Sequence, residues 1–275
     1  MPPRKPTAIE KDKIILVEGA DAYFFFIWAC QAFDIHDIQV IDFGGIDDLG
    51  EYLRTFKELS GSEKASTILI GRDAEKNPDG AVKSIKTALK KNGFAVPERP
   101  FTFAEGKPCV AYMLFPGFES GSEGSSLLPG ALEDLCLSTT KGDLVHECVD
   151  LYVNCLKTNG ITLKDLHKTR LHAYLAGKQD FAGLKVGEAA KAGAWNWNHT
   201  NLNPFRTIIK AMWFRYRIVM ATRQIVIDVP EKVLLEAKSS GLIESVKPVI
   251  HRLEKSGMWV SEDIRRRVLA LAGES

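Results

Sequence analysis

The sequence predicts an α/β protein: a mostly parallel sheet with helices on both faces, followed by a helical C-terminal region. Three observations carry this. The first 115 residues alternate short apolar runs with helical patterns, the ordering of βαβ units. Residues 14–17 are apolar without interruption, and 67–70 are so after Thr67, as fully buried strands are. From Gly142 onward the apolar residues recur at helical spacing instead. The expected organisation is an α/β core over 11–140, a helical extension over 141–223 packed on it, and a small helical unit over 224–275.

Residues 1–10 are rich in proline and charge and are expected to be mobile. The first strand ends at Glu18-Gly19, where glycine permits a sharp turn into a helix over 20–33. Phe24, Phe25, Phe26, Ile27 and Trp28 stand in a row there, which predicts burial on more than one side. A second strand over 38–43 runs through Gly44-Gly45 into a helix over 47–59, with Leu49, Leu53 and Phe56 on one face. Glycines at such a turn either let backbone N–H groups approach phosphate or only make the turn tight. Asp47 and Asp48 at the helix start argue against an anion.

A third strand over 65–70 precedes a helix over 77–91 with proline near its first turn. Ala81, Ile85, Ala88 and Leu89 face inward and the lysines outward. Residues 97–108 read as a loop or short hairpin around Phe101 and Phe103, and 110–115 as a fourth strand. The Gly/Ser-rich stretch 116–126 is either a lid beside the strand ends or a plain surface loop. Glu133 and Asp134 open a short helix.

Val145, Cys148, Val149, Tyr152 and Leu156 share one face of the next helix. Residues 163–175 carry His167, Arg170 and His172. Those histidines are not four apart, so a structural role is expected for them. Lys168 and Arg170 read as surface residues, with phosphate contact as the alternative. The loop holding Trp195 and Trp197 either stacks on bases or plugs helices onto the sheet. Pro204 begins a helix with Phe205, Ile208, Ile209, Met212 and Trp213, extended by Arg215, Arg217 and Arg223. A short strand over 225–227 and three helices complete the chain, the last capped by Ser261 and carrying Arg265-Arg266-Arg267.

Chemistry is expected where the first and third strands end. If those strands are parallel neighbours, Glu18, Asp73 and Glu75 converge at the carboxyl edge of the sheet, where ligands bind in open α/β folds. Carboxylates placed together repel one another and resist ionisation, a conflict that a divalent cation removes. Oxygen ligands without histidine or thiolate favour Mg2+ or Mn2+ over zinc. Asp21 and Glu133 are further candidate ligands, and Arg72 is a candidate for neutralising transition-state charge. The competing readings are local ones. Glu18 would cap the next helix, Asp73 and Glu75 would be solvated turn residues, and Glu133 with Asp134 would stabilise a helix N-terminus.

Leu16-Val17-Glu18-Gly19-Ala20-Asp21 together with Asp73-Ala74-Glu75 resembles the Toprim domain of topoisomerases, primases and several nucleases. That domain carries a glutamate after its first strand and an Asp-x-Asp pair after a later one. Here Glu75 takes the place of the second aspartate, and Ala22 stands where many Toprim nucleases have an acid. Residues 13 to about 210 are similar to a family of uncharacterised bacterial Toprim-like proteins, on Asp42-Phe43-Gly44-Gly45, Arg72-Asp73-Ala74-Glu75-Lys76-Asn77-Pro78 and Leu132-Glu133-Asp134-Leu135. The resemblance implies a Toprim-like sheet and a metal-assisted phosphodiester chemistry in which Glu18 also serves as general base or acid. The tail resembles the final helices of a PIN-like family found in toxin–antitoxin loci, without that family's catalytic acids.

Composition agrees with a globular chain: 45% of the 275 residues are hydrophobic and 26% charged. No apolar run reaches the roughly 18 residues of a membrane span, and the start lacks the apolar stretch of a signal peptide. Five cysteines at irregular spacing give neither a disulfide framework nor a zinc pattern. Buried thiols and a cytoplasmic location are the expectation. The net charge is +1, unevenly spread. Residues 1–150 hold 16 Lys+Arg against 24 Asp+Glu, and residues 151–275 hold 20 against 11. The basic half could hold nucleic acid near the acidic site, or the two halves simply attract each other. Two functions are expected to compete: a Mg2+-dependent phosphodiester-acting enzyme, nuclease-like, and a non-catalytic ion- or nucleotide-binding module. In the second, residues 224–275 dock a protein partner or a second copy.

Overall fold

The computed structural model describes residues 8–45, 47–119 and 126–214. The expectations for the N-terminal arm before residue 8, the tip of the 116–126 loop, Arg215, Arg217, Arg223 and the unit 224–275 lie outside the described residues. The chain divides after Arg215, and the architecture below is that of the first unit.

Strand and helix alternate as the apolar pattern requires: β1 Lys13–Glu18, α1 Gly19–Ala32, β2 Ile38–Gly44, α2 Leu49–Phe56, β3 Thr67–Asp73, α3 Pro78–Lys91, β4 Phe103–Ala104 and β5 Cys109–Phe115. The helices α4 Leu132–Ser138, α5 Val145–Thr158, α6 Leu166–Ala176, α7 Val186–Ala192 and α8 Asn203–Phe214 follow. The five strands form one sheet in the order β2-β1-β3-β5-β4. All neighbours are parallel except β4, the two-residue remnant of the expected hairpin, which pairs antiparallel with β5.

Alternating strand residues supply two cores. Ile14, Leu16, Ile41, Phe43, Ile68, Ile70, Tyr112 and Leu114 pack under α2 and α3 with Leu53, Phe56, Ile85 and Leu89. Ile15, Val17, Leu69, Met113 and Phe115 face the other way. There they meet α1 and every helix from α4 to α8 in one continuous cluster. Burial of this kind stabilises by about 25 cal/mol per Å² of apolar surface. The helices after residue 141 therefore complete the same core that the sheet begins.

Some expectations shift. In the aromatic row of α1, Phe25 and Phe26 are buried while Phe24 is exposed. Cys30, Cys109 and Cys136 are buried, but Cys148 and Cys155 are exposed. The reason is the rotation of α5. Its buried residues are Val149 and Val153, so Cys148 and Tyr152, read from the sequence as core, fall on the outer face. The tryptophan loop is packed inward. Trp195 is buried with its Nε1–H donated to the Val186 carbonyl, and Trp197 lies 5.2 Å from the Phe25 ring.

Gly187 lets α7 approach α1 closely: a Cβ there would stand 2.3 Å from the Cβ of Phe24. Gly187→Ala should therefore cost about 1–3 kcal/mol by overpacking, read as a lowered urea midpoint at unchanged slope.

Candidate functional site

β3 runs past Ile70, so Gly71, Arg72 and Asp73 are strand residues paired with Met113, Leu114 and Phe115. Successive side chains then point to opposite faces. Arg72 turns toward α3, where its Nη1 donates to Ser84 Oγ at 3.3 Å. Asp73 turns toward α4, where its Oδ1 accepts the Leu132 N–H at 2.9 Å.

Glu18 occupies the N-cap position of α1 but makes no side-chain capping bond. Its Oε2 instead lies 3.4 Å from Arg72 Nε, with side chains 17% and 2% exposed. That separation is an ion pair without hydrogen-bond geometry, and neither atom has a hydrogen-bond partner among the described residues. Burial raises the Glu18 pKa, Arg72 opposes this, and Glu75, Asp42 and Asp47 raise it further. Buried beside Glu18, Arg72 partly offsets its charge.

The turn after Glu18 is held by Asp42, whose Oδ1 accepts both the Gly19 N–H and the Gly44 N–H at 2.9 Å. The β1–β2 register shifts between Val17 and Glu18, so that Glu18 pairs with Gly44. Gly19 takes φ +82°, a left-handed conformation that favours glycine. Asp42 is thus a positioning residue, and its one signal in the sequence is an acid just ahead of Gly44-Gly45.

Glu75 is exposed, and its backbone exchanges two hydrogen bonds with Gly130, at 2.9 and 2.8 Å. That exchange ties the end of β3 to the segment leading into α4. Glu133, in the first turn of α4, is 6% exposed. Burial raises its pKa; its own backbone N–H and Lys168 oppose this, and Asp165 and Asp21 add to it. Asp73 lies among all of these. Burial first, then the charges of Glu133, Glu18 and Glu75, push it up to about 7 against the Leu132 hydrogen bond.

The structure therefore brings Glu18, Glu75 and Glu133 each within electrostatic reach of Asp73. Asp21 joins through Glu133. They do not already surround a single ion position: among the described residues no group of three or more His, Cys, Asp or Glu side chains is arranged to hold a metal. The donor chemistry still fits a hard divalent cation. The set is all oxygen, Glu18 Oε2 is buried without a hydrogen-bond partner, and Asp73 is pushed up to about 7 by burial first and then by carboxylate repulsion that a cation would relieve.

One pair at this edge has no spacing signal in the sequence. His167 Nδ1 of α6 lies 2.6 Å from Asp134 Oδ2 of α4. Asp134 also accepts the Ala131 N–H at 2.8 Å, which gives it the helix-start role considered above. Arg170 pairs with Asp150 on α5.

Fold and site together define an α/β protein with a parallel sheet and an acidic carboxyl edge. The chain belongs to the family described as Protein of unknown function (DUF3226), whose model matches residues 12–213. A second family model, DUF3368, described as PIN domain, matches residues 232–274. No curated protein and no solved structure matches the chain. No helix among the described residues is long and apolar enough to cross a membrane.

Proposed function

We propose that the protein is a Toprim-like, Mg2+- or Mn2+-dependent enzyme acting on phosphodiesters, nuclease-like in substrate. The observation that carries this is Asp73: a carboxyl pushed up to about 7 by burial and by three other carboxylates at the edge of parallel strands. Perturbed groups of this kind cluster where chemistry is done. Asp73, Glu75, Glu18 and Glu133 would hold the ion, with Asp21 behind Glu133. A divalent cation there supplies polarisation of a phosphoryl oxygen and activation of water.

The chain's own residues do the rest. Arg72 fixes Glu18, and Asp42 fixes the turn beneath it. The pKa of Glu18 is raised by burial, the direction that suits a group taking and returning a proton. The excess of Lys+Arg in residues 151–275 supports nucleic acid as the substrate class.

The alternative is a non-catalytic ion- or nucleotide-binding module with 224–275 as its docking part. The Glu18–Arg72 pair favours it, because Arg72 already offsets the charge of Glu18 without a cation. Calorimetric titration with Mg2+ and Mn2+ comes first. Wild type is expected to bind and Asp73→Asn/Glu75→Gln to lose binding. Wild type should then cleave DNA, RNA or a nucleotide substrate at least about 10²-fold faster than Glu18→Gln, the usual size of one acid–base contribution. Metal binding without any such cleavage supports the module instead.

A further inference from the structure

The Asp134–His167 pair is not part of the carboxylate set, yet it is built from the same turn. Leu132 donates its N–H to Asp73, and Asp134, two residues on, holds Ala131 N–H and His167 Nδ1. A shift of that turn would move Asp73's partner and the imidazole together. The Asp134 carboxylate lies against Nδ1 as an ion pair, which leaves Nε2 as the nitrogen to meet a ligand. The side chain is 37% exposed, so a ligand can reach it. An imidazole paired with a carboxylate is an arrangement that general acid–base chemistry uses, and this one lies close enough to Glu133 to feel its charge.

We propose that His167 is a catalytic proton donor of this site, with Asp134 as its positioning residue, and that it protonates the leaving oxygen of the cleaved phosphodiester. The inference rests on the phosphodiester reading above. In the step, a water oxygen bonds to phosphorus. The phosphorus–oxygen bond to the leaving group breaks, its electron pair stays on that oxygen, and the oxygen takes the Nε2 proton. The proton lost by the water passes to Glu18 or to solvent, and solvent reprotonates the imidazole. The products are an alcohol and a phosphomonoester, with no change of oxidation state.

The charged groups facing His167 are Asp134 and Glu133 from α4 and Asp165 from the turn before α6. Burial lowers the imidazole pKa, and these three carboxylates more than offset it, so the net direction is upward. Lys168, next in sequence, pairs with Asp165 at 3.5 Å.

The test exploits leaving groups. A nucleotide oxygen leaves as a poor alkoxide and needs a proton, whereas p-nitrophenolate leaves without one. The full chain with Mg2+ or Mn2+ is assayed on an oligonucleotide and on bis(p-nitrophenyl) phosphate. His167→Gln, whose amide can still donate to Asp134, should lose about 10²-fold or more on the oligonucleotide and far less on the nitrophenyl ester. Asp134→Asn should show the same selective loss, smaller in size. Equal loss on both substrates, or no loss on the oligonucleotide, overturns the inference while leaving the phosphodiester reading standing. A wild type inert toward both substrates overturns the two together.

Discussion

Asp73→Asn should make the metal-free protein more stable at pH 8 and blind to Mg2+. In the folded state Asp73 is pushed from the ordinary 3.8 to about 7, so above pH 7 it is ionised at a cost. The sign follows from proton counting. Between about pH 4 and 7 the folded state holds a proton that the unfolded state has released, so stability falls as pH rises through that window and levels off above it. At 1.36 kcal/mol per pH unit the span is on the order of 4 kcal/mol, and relaxation of the site lowers that figure. Asparagine keeps the acceptor for the Leu132 N–H and removes the charge. Its midpoint of thermal unfolding at pH 8 should rise by roughly 5–10 °C for a unit of this size, and its pH profile should flatten. Wild type should recover the same stability on adding Mg2+, by linkage to binding. An Asp73→Asn protein that melts below wild type at pH 8 would show that the carboxylate is structural.

Arg72→Met should be among the most damaging single changes in the sheet. The guanidinium is 2% exposed, and its removal leaves Glu18 Oε2 in a buried place with neighbouring acids and no opposite charge. Breaking a buried pair on one side costs about 3–5 kcal/mol. Glu18→Gln alone should cost less, since it removes the charge that Glu75, Asp42 and Asp47 repel. The double variant Glu18→Gln/Arg72→Met should recover part of the loss. Urea melts of the four proteins measure this, and additive losses would mean that the two side chains do not interact.

The sheet was legible because its signal is local. Residues 14–17, 68–70 and 110–115 are apolar without interruption, as strands buried on both faces require. The inward faces of α2 and α3 followed from their periodicity. What escaped depended on contacts between distant residues. β3 was read as ending at Ile70 because Gly71-Arg72-Asp73 carries no apolar residue, and nothing in a sequence marks an arginine as buried. Cys148 and Tyr152 were assigned to the wrong face of α5 because two apolar stripes overlap there, and packing chose Val149 and Val153. For the site, Glu18, Asp73 and Glu75 could be placed at one edge by topology alone. The burial of Glu133 and the meeting of Asp134 with His167 could not, since both depend on where α4 and α6 come to rest.

The shared core on the α1 side has a consequence for how the chain is made. Phe205 of α8 stacks on Phe115 at 5.6 Å and meets Phe101 edge-on at 5.1 Å. A nascent chain that has only just released β5 and α4 from the ribosome has all five strands but still shows Val17, Met113, Phe115 and Leu135 to water. That face stays adhesive until 76 more residues, from 139 to 214, emerge, the interval in which incomplete chains aggregate or engage chaperones. Synthesis order thus makes the last described helix the lock on a sheet completed long before it.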